Sequence, residues 1–408
     1  MGPVGTIACQ FSIVTALVWT YGALGLLFLP TMVGVATLLP VLGAVILAPR
    51  TVIMQLPVSF SVLGIITVSV ASVMWTIDPD ASAVLLRGWI PAVIAVTLAA
   101  GLLPLRDVAD ALVWTVRIVV AITVIALVIN PATRAHGAAE VGGEGYAGWH
   151  GFFLHKNKLS PFLVAGVATL LTFDRWAAAK WATLGVIGIL LVGSASATGI
   201  SGAFLVFVAW YWLRIYQNSQ KEDLRNSTLF FFASALGFLG VVAGSVASVA
   251  TITSAYGKEL TFSGRTYIWA ASLDALEARP VLGYGVGGLF WRQSVSMETA
   301  AIWRQVGFPA SHAHNGPLDL ALQIGLVGLA VYFVFWIGLF RQGWNMLGTR
   351  PDLSIWVVSI LFAQLFMSLS EDVLLGGWLA LLCLMKVLVM RRSDSLYAGR
   401  IRDMTQWA

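Results

Sequence analysis

Apolar stretches of roughly 20 residues recur along the chain and alternate with shorter polar connections. About 20 apolar residues in a helix cross the hydrocarbon core of a bilayer. The pattern predicts an all-α, polytopic membrane protein with about twelve transmembrane helices. The predicted helices are 8–28, 31–48, 53–76, 84–104, 111–130, 158–174, 177–193, 200–216, 228–252, 317–340, 353–369 and 374–390.

The composition supports one integral membrane domain over residues 1–408. Of the 408 residues, 59% are hydrophobic and 11% charged, and the mean hydropathy is +0.86. A soluble domain usually carries about a quarter charged residues. The first apolar run begins near Ile7 without a basic leader or a small-residue cleavage site. We expect it to be a retained helix and not a signal peptide.

Charge divides the connections into two sets. Short basic connections mark the cytoplasmic side of a membrane protein, so we expect both termini to be cytoplasmic. The net charge of +5 therefore indicates orientation and not nucleic-acid binding. The basic connections contain Arg50, Arg106, Arg175, Lys180, Arg214, Lys221, Arg225, Arg341, Arg350, Arg391, Arg392, Arg400 and Arg402.

The second set of connections, on the opposite face, carries all five histidines. Its two longest connections are an outer loop at 131–157 and a large outer loop at 253–316, in which we expect short helices. Histidine titrates near neutral pH, so chemistry is expected on this face. Cys9 and Cys383 fall inside predicted helices, which argues against a disulfide framework or a cysteine metal site. The histidines of this face are His136, His150, His155, His312 and His314.

The first motif, GWHGFFLHKNKLSPF, runs from residue 148 to 162. It brings Trp149, His155, Lys156 and Asn157 to the start of a helix, where free N–H groups and the helix dipole favour anions. Lys156 is a candidate phosphate ligand, and Asn157 a candidate helix cap. The alternative is that the lysines and Trp149 are interfacial anchors.

The second motif, TFSGRTYIWAASLDALEARPVLGYG, covers residues 261–285. Thr261 or Ser263 can cap a helix that runs to about Glu277, which leaves Arg265 in its first turn. A guanidinium there opposes the helix dipole, and an anionic ligand such as diphosphate would remove the conflict. The glycines at 283, 285 and 288 fit a dinucleotide-binding pattern, but no strand precedes them, so a tight turn is predicted.

The third motif, SHAHNGPLDLALQIGLVGLAVYF, covers residues 311–333. His314 and Asn315 stand at the mouth of a long apolar helix, where an imidazole can accept a proton from a sugar hydroxyl. Gly325 and Gly328 would let a neighbouring helix approach closely. His312 and His314 are also possible metal ligands, but no third ligand lies at a familiar spacing, so no metal is expected.

Together the three motifs resemble the superfamily of O-antigen ligases and O-antigen or exopolysaccharide polymerases. The most specific match is His314 and Asn315, followed after nine residues by Gly325-x-x-Gly328. Gly264, Arg265, Thr266 and Trp269 resemble a second signature of these proteins, and the HKN of residues 155–157 a third.

The resemblance implies a membrane glycosyltransferase that needs no metal or other cofactor. It would take an oligosaccharide from a polyprenyl diphosphate, such as undecaprenyl diphosphate, and join it to an acceptor sugar. His314 would activate the acceptor hydroxyl, and Arg265 would hold the leaving diphosphate. Trp149, His155, Asn157, His312 and Asn315 would contact substrate. The resemblance also implies a multi-pass protein of the bacterial inner membrane with a periplasmic active site.

One departure from the family pattern concerns the second phosphate cation. Ligases that modify lipid A-core often carry an arginine in the outer connection that is SASATG here, at 194–199, where this chain has no basic residue. Lys156 or Arg87 would have to supply that charge. This favours a repeat-unit polymerase, working with possible chain-length regulators, over a ligase of lipopolysaccharide biosynthesis.

Two other functional classes compete with the enzyme. A transporter of lipid-linked oligosaccharide would carry cations through the membrane depth, whereas here they cluster in outer loops. A passive scaffold would not need His314 or Arg265. Glu371 and Asp372 could contact acceptor hydroxyls, but we expect ordinary loop charges.

Overall fold

The computed structural model describes residues 3–18, 59–134, 148–153, 155–219, 265–290 and 295–391, with isolated positions at 38, 39, 42, 43 and 46. Most of these residues are helical, and no strand occurs among them. Five of the described helices are long and apolar enough to cross a membrane. The all-α, multi-pass prediction is confirmed at this level, and the count of about twelve spans stays a prediction.

The helices are numbered here in chain order over the described residues. They are α1 (Pro3–Val18), α2 (Phe60–Ala71), α3 (Pro79–Leu102), α4 (Leu105–Ile129), α5 (Lys156–Phe173), α6 (Ala177–Gly193), α7 (Ala197–Ser219), α8 (Arg265–Ala278), α9 (Met297–Val306), α10 (Gly316–Asn345), α11 (Pro351–Ser368) and α12 (Gly377–Met390).

Most predicted helices have a counterpart, with shifted ends. The predicted 177–193 agrees with α6, whereas α3, α4 and α10 extend beyond their predicted ranges. Polar first turns cause part of this difference: Asp78 caps α3 through its side chain and Pro79 follows it, so α3 begins before the apolar run. The predicted helices 31–48 and 228–252 lie outside the described residues, apart from the isolated positions.

The core joins helices that carry the first and third motifs to α11. Trp356 of α11 is fully buried and donates its indole N–H to Thr169 of α5 at 3.1 Å. Gln364 of α11 is also fully buried, and donates to Tyr332 Oη and to the Val373 carbonyl, both at 2.9 Å. The second bond ties the connection after α11 to the helix core. That connection carries Glu371 and Asp372.

A tight segment between α8 and α9 inserts among the helices. Residues 283–290 are buried, and Gly283 and Gly285 have positive φ. Ser82 donates to the Val286 carbonyl at 2.6 Å, and Ser72 accepts from the Val286 N–H at 3.1 Å. The glycine pattern is therefore a turn, as predicted.

The glycines of α10 were predicted to let a neighbouring helix approach closely, and the structure shows a different contact. Gly325 has φ +69° and interrupts the helix, and a Cβ there would lie 1.9 Å from the Val281 carbonyl oxygen. The N–H of Leu326 donates to the Pro280 carbonyl at 2.9 Å. Gly325 thus admits the segment after α8, and not a neighbouring helix. A Cβ on Gly328 would meet Ile324 of its own helix.

Candidate functional site

Residues from four separate parts of the sequence meet at one end of the helix bundle. They come from the start of α5, the start of α8, the residues before α10 and the connection between α11 and α12. The Arg265 guanidinium lies 3.1 Å from Glu371 Oε1, and His314 Nδ1 lies 4.0 Å from Glu371 Oε2. The predicted pair, Arg265 and His314, is thus joined by a carboxylate.

His314 is held in an uncommon backbone conformation. Its φ is +50°, a region that a residue other than glycine occupies at a cost of about 1–3 kcal/mol. Its N–H donates to His312 Nδ1 at 3.1 Å, and the preceding Ala313 N–H donates to Asp319 Oδ1 at 3.1 Å. Asn315 then caps α10 by accepting from the Leu318 N–H. These bonds fix the turn that presents the imidazole.

Two polar atoms of the cluster are buried without a hydrogen-bond partner among the described residues. They are His314 Nδ1 and Glu371 Oε2, the two atoms that face each other across 4.0 Å. Buried polar atoms are normally satisfied. A small movement would let His314 donate from Nδ1 to Glu371 Oε2, which leaves Nε2 as the unprotonated nitrogen of a neutral imidazole.

Burial sets the protonation states of this pair. Burial lowers the pKa of His314 to about 2, and His312 and Arg265 act in the same direction. Burial raises the pKa of Glu371 to about 7, against the opposing charge of Arg265. The imidazole is therefore neutral near neutral pH, whereas the carboxyl group titrates there.

A second ion pair lies on the other side of the histidines. Lys158 donates to both Asp372 oxygens, at 3.0 and 2.8 Å, and His312 Nε2 lies 3.8 Å from Asp372 Oδ1. Burial alone would raise the pKa of Asp372, but His312 and Lys158 hold it below its ordinary range. The His312 and His314 rings lie 3.9 Å apart between centroids. Glu371 thus faces His314, and the adjacent Asp372 faces His312.

Glu371 and Asp372 were expected to be ordinary loop charges, and this prediction is wrong. Glu371 is 2% exposed and lies at the centre of the cluster. Sequence reasoning also missed Lys158 as a functional candidate, together with Asp319. The available signal was the pair of adjacent carboxylates on the face that carries the histidines. Their partners are remote in sequence, so spacing alone did not reveal them.

The remaining residues of the first motif are placed individually. His155, and not Asn157, caps α5, because its Nδ1 accepts from the Asn157 N–H at 3.0 Å. Trp149 packs on Gly193, where a Cβ would lie 2.2 Å from the indole ring. The Lys156 side chain lies against Gly148, where a Cβ would be 3.3 Å from the Lys156 amine. The positive charge of Lys156 lowers the pKa of Glu371.

The two candidates for a second phosphate cation, Lys156 and Arg87, lie in different surroundings. Lys156 lies near the connection between α6 and α7. Its side chain contacts Gly148, and a Cβ on Gly148 would lie 2.9 Å from the Ser194 carbonyl oxygen of that connection. Arg87 is exposed on α3, and its Nε donates to the Ala83 carbonyl of the same helix. Lys156 acts electrostatically on Glu371 of the cluster, whereas the side-chain bond of Arg87 stays within α3.

The structure also supplies the third metal ligand that the sequence spacing lacked. His312, His314 and Glu371 have ligand atoms within 4.8 Å of one another. Arg265 already occupies one oxygen of Glu371, and its positive charge opposes a bound cation. The donor set is therefore complete in number but electrostatically unfavourable, and metal independence stays a prediction.

Comparison with known proteins supports the resemblance. Residues 181–333 match the family model described as O-Antigen ligase, a range that contains Arg265, His314 and Gly325. The resemblance to O-antigen ligases is confirmed. The matched range runs from within α6 into α10, so it does not include Glu371.

A curated relative extends the likeness. The chain is 28% identical over 240 residues to the exopolysaccharide production protein ExoQ of Rhizobium meliloti (strain 1021). The alignment covers 56% of this chain and 49% of the relative. The chain thus spans about half the length of the relative that it matches.

Proposed function

We propose that this protein is a membrane glycosyltransferase that joins a polyprenyl-diphosphate-linked oligosaccharide to an acceptor sugar, as a repeat-unit polymerase. The observation that carries the proposal is the contact of Arg265 and His314 with one buried carboxylate, Glu371. A cation for the leaving group and a neutral base for the acceptor are the two groups that this reaction needs.

The transfer is a direct displacement. The acceptor hydroxyl oxygen bonds to the anomeric carbon as the bond from that carbon to the diphosphate oxygen breaks. The electron pair leaves with the polyprenyl diphosphate, which Arg265 and Lys156 hold, and the hydroxyl proton passes to His314. The anomeric configuration inverts, so a retained linkage or a glycosyl-enzyme adduct would contradict this mechanism.

The geometry supports different roles for the two imidazole nitrogens of His314. Because Nδ1 faces Glu371, Nε2 is the atom that accepts the acceptor proton. The resulting imidazolium would be stabilised by Glu371, which is a positioning residue in this scheme. Donor binding assists the base, since an anionic diphosphate on Arg265 offsets a charge that lowers the pKa of His314.

Two observations favour a polymerase over a lipid A-core ligase. The relative's printed name refers to exopolysaccharide production. In addition, the connection from Ser194 to Ser196 carries no cation, and Ser196 donates to Ser160 at 3.0 Å. A second phosphate cation therefore comes from Lys156 in this scheme.

The test uses purified protein and the lipid-linked oligosaccharide extracted from the producing bacterium, with and without EDTA. We expect a ladder of products from the wild type, insensitive to EDTA, and loss of the ladder in His314→Ala and Arg265→Ala. Arg304→Ala, which changes an exposed outer arginine on α9, is the matched control. Full activity in the His314 and Arg265 variants would overturn the assignment, and a single addition to lipid A-core would indicate a ligase.

A further inference from the structure

A cavity of about 220 Å³ lies beside the ion cluster, on the Asp372 side. Its walls come from α3, the starts of α5, α10 and α12, and the connection before α12. The polar lining groups are Asn157, Lys158, Asp319, Gln323 and Asp372. Trp89 and Trp378, with several leucines, form the apolar part of the lining.

We propose that this cavity is the subsite for the acceptor sugar, the pyranose ring whose hydroxyl group is glycosylated. The assignment rests on the proposed function and adds to it the place where the acceptor binds. A pyranose has hydroxyl groups around its edge and C–H groups on its faces. A mostly apolar pocket with a few convergent polar groups fits such a ligand.

The polar groups of the cavity keep unused hydrogen-bonding capacity. Asp319 accepts one bond at each oxygen, from the Ala313 N–H and from Gln323 Nε2 at 2.6 Å, although each carboxylate oxygen has two acceptor sites. Gln323 has a second N–H. The Asn157 side chain makes no hydrogen bond to any residue that the structure describes. These groups supply both acceptors and donors to sugar hydroxyls.

The position of the cavity assigns it to the acceptor and not to the donor. Glu371 points toward Arg265 and His314, whereas Asp372 points toward Lys158 and His312 and lines the cavity. In a direct displacement the acceptor and the leaving group lie on opposite sides of the anomeric carbon. The cavity also adjoins the turn that carries His314, because Gly316 and Asp319 line it and Asp319 accepts from the Ala313 N–H. An acceptor in the cavity therefore lies beside the base, and a diphosphate held by Arg265 leaves this side free for it.

The charged lining excludes the prenyl chain as the occupant. A hydrocarbon filling this space would separate Asp372, Lys158 and Asp319 from water without offering any hydrogen bond. Burying charged groups in that way is costly. A sugar offers hydroxyl groups to the same side chains.

Filling the cavity tests the assignment. Leu85 lines the cavity from α3, whereas the adjacent Val84 is 37% exposed on the outside of the same helix. Leu85→Trp should raise the acceptor KM at least about tenfold and leave the donor KM unchanged, and Val84→Trp should change neither. The acceptor probe is the oligosaccharide that mild acid releases from the lipid-linked repeat unit, and the donor is the intact lipid.

A second variant and a binding measurement separate the possible failures. Asn157→Ala removes one polar group without filling the space, and should raise the acceptor KM by a smaller factor. Direct binding of the labelled oligosaccharide should be lost in Leu85→Trp and retained in Val84→Trp. If the wild type binds the oligosaccharide but forms no glycosidic product, the proposed function fails.

Unchanged acceptor binding and KM in both Leu85→Trp and Asn157→Ala would overturn the subsite. A rise in the donor KM alone would also overturn it, because the cavity would then hold part of the lipid-linked donor.

Discussion

Replacing Glu371 with glutamine removes the charge that joins Arg265 to His314 while keeping the size of the side chain. Two contacts change. The Arg265 guanidinium loses its ionic partner at 3.1 Å, and His314 Nδ1 loses the carboxylate that faces it at 4.0 Å. We therefore expect glycosyl transfer to fall while binding of the diphosphate persists.

The magnitude follows from the burial of the carboxyl group. One pKa unit corresponds to about 1.4 kcal/mol, so raising the pKa of Glu371 from 4.5 to about 7 disfavours its ionised form by roughly 3 kcal/mol. In the absence of substrate, this buried anion holds Arg265. A neutral glutamine releases Arg265, so the affinity for a diphosphate should stay equal to that of the wild type or increase.

The transfer step should respond in the opposite direction. General acid–base groups contribute about 10²- to 10⁴-fold to reaction rates. Without Glu371 the His314 imidazolium forms beside His312 and Arg265, which lower its pKa, and Asp372 is the remaining carboxylate that raises it. We expect the turnover number of Glu371→Gln to fall about 100-fold or more. The assay follows the product ladder by electrophoresis and measures diphosphate affinity separately, by protection of the protein against thermal unfolding.

The matched control changes another ion pair. Asp352 pairs with Arg214 at 2.6 Å at the start of α11, at the other end of that helix from Glu371. Asp352→Asn should keep normal turnover and diphosphate affinity. Wild-type turnover in Glu371→Gln would refute the positioning role, whereas parallel loss of turnover, diphosphate affinity and thermal stability would show that the residue is only structural.

Three further predictions concern the same site and its support. Because the pKa of Glu371 is raised to about 7 and only the ionised carboxylate supports His314, wild-type turnover should fall as the pH drops below about 7; Glu371→Gln should lack this acid limb in a pH–rate profile. Lys156→Ala should raise the donor KM about tenfold through loss of one phosphate contact, whereas Arg87→Ala should not, and equal effects in initial-rate measurements would contradict the assignment. Gly325→Ala should reduce folded protein severely on size exclusion, because φ is +69° and the new methyl group meets a carbonyl oxygen at 1.9 Å; Gly338→Ala in the same helix, with its nearest contact at 3.8 Å, should be harmless.

Regular features of the site were predictable from the sequence. The motifs predicted Arg265 and His314 as site residues, and the structure brings both against Glu371. The helix of the second motif was expected to run to about Glu277, close to its end at Ala278. Hydropathy located the helices because each apolar run must be long enough to cross a bilayer. Their ends were less predictable, since caps such as Asp78 lie outside the apolar runs.

The parts that sequence reasoning missed depend on contacts between distant residues. Gly325 was expected to face a helix, but it faces the segment after α8, because backbone N–H groups freed by the kink bond to the carbonyls of Pro280 and Val281. Glu371 was expected to be an ordinary loop charge. Its role becomes visible only when α8, α10 and the end of α11 are brought together, which a pattern along one segment does not encode.

In the proposed mechanism, the distribution of charge would let the site rest without substrate and respond to the donor. Arg265 pairs with Glu371 and Lys158 pairs with Asp372, and burial keeps the two histidines neutral. A diphosphate that binds Arg265 competes with Glu371 for the guanidinium. The released carboxylate is then the nearest anion to His314 Nδ1, across 4.0 Å. Binding of the donor would strengthen the base because the diphosphate offsets the Arg265 charge that lowers the pKa of His314. The Glu371→Gln variant keeps Arg265 and this effect but lacks the carboxylate that supports the imidazolium, so its turnover should stay low even when the donor is saturating.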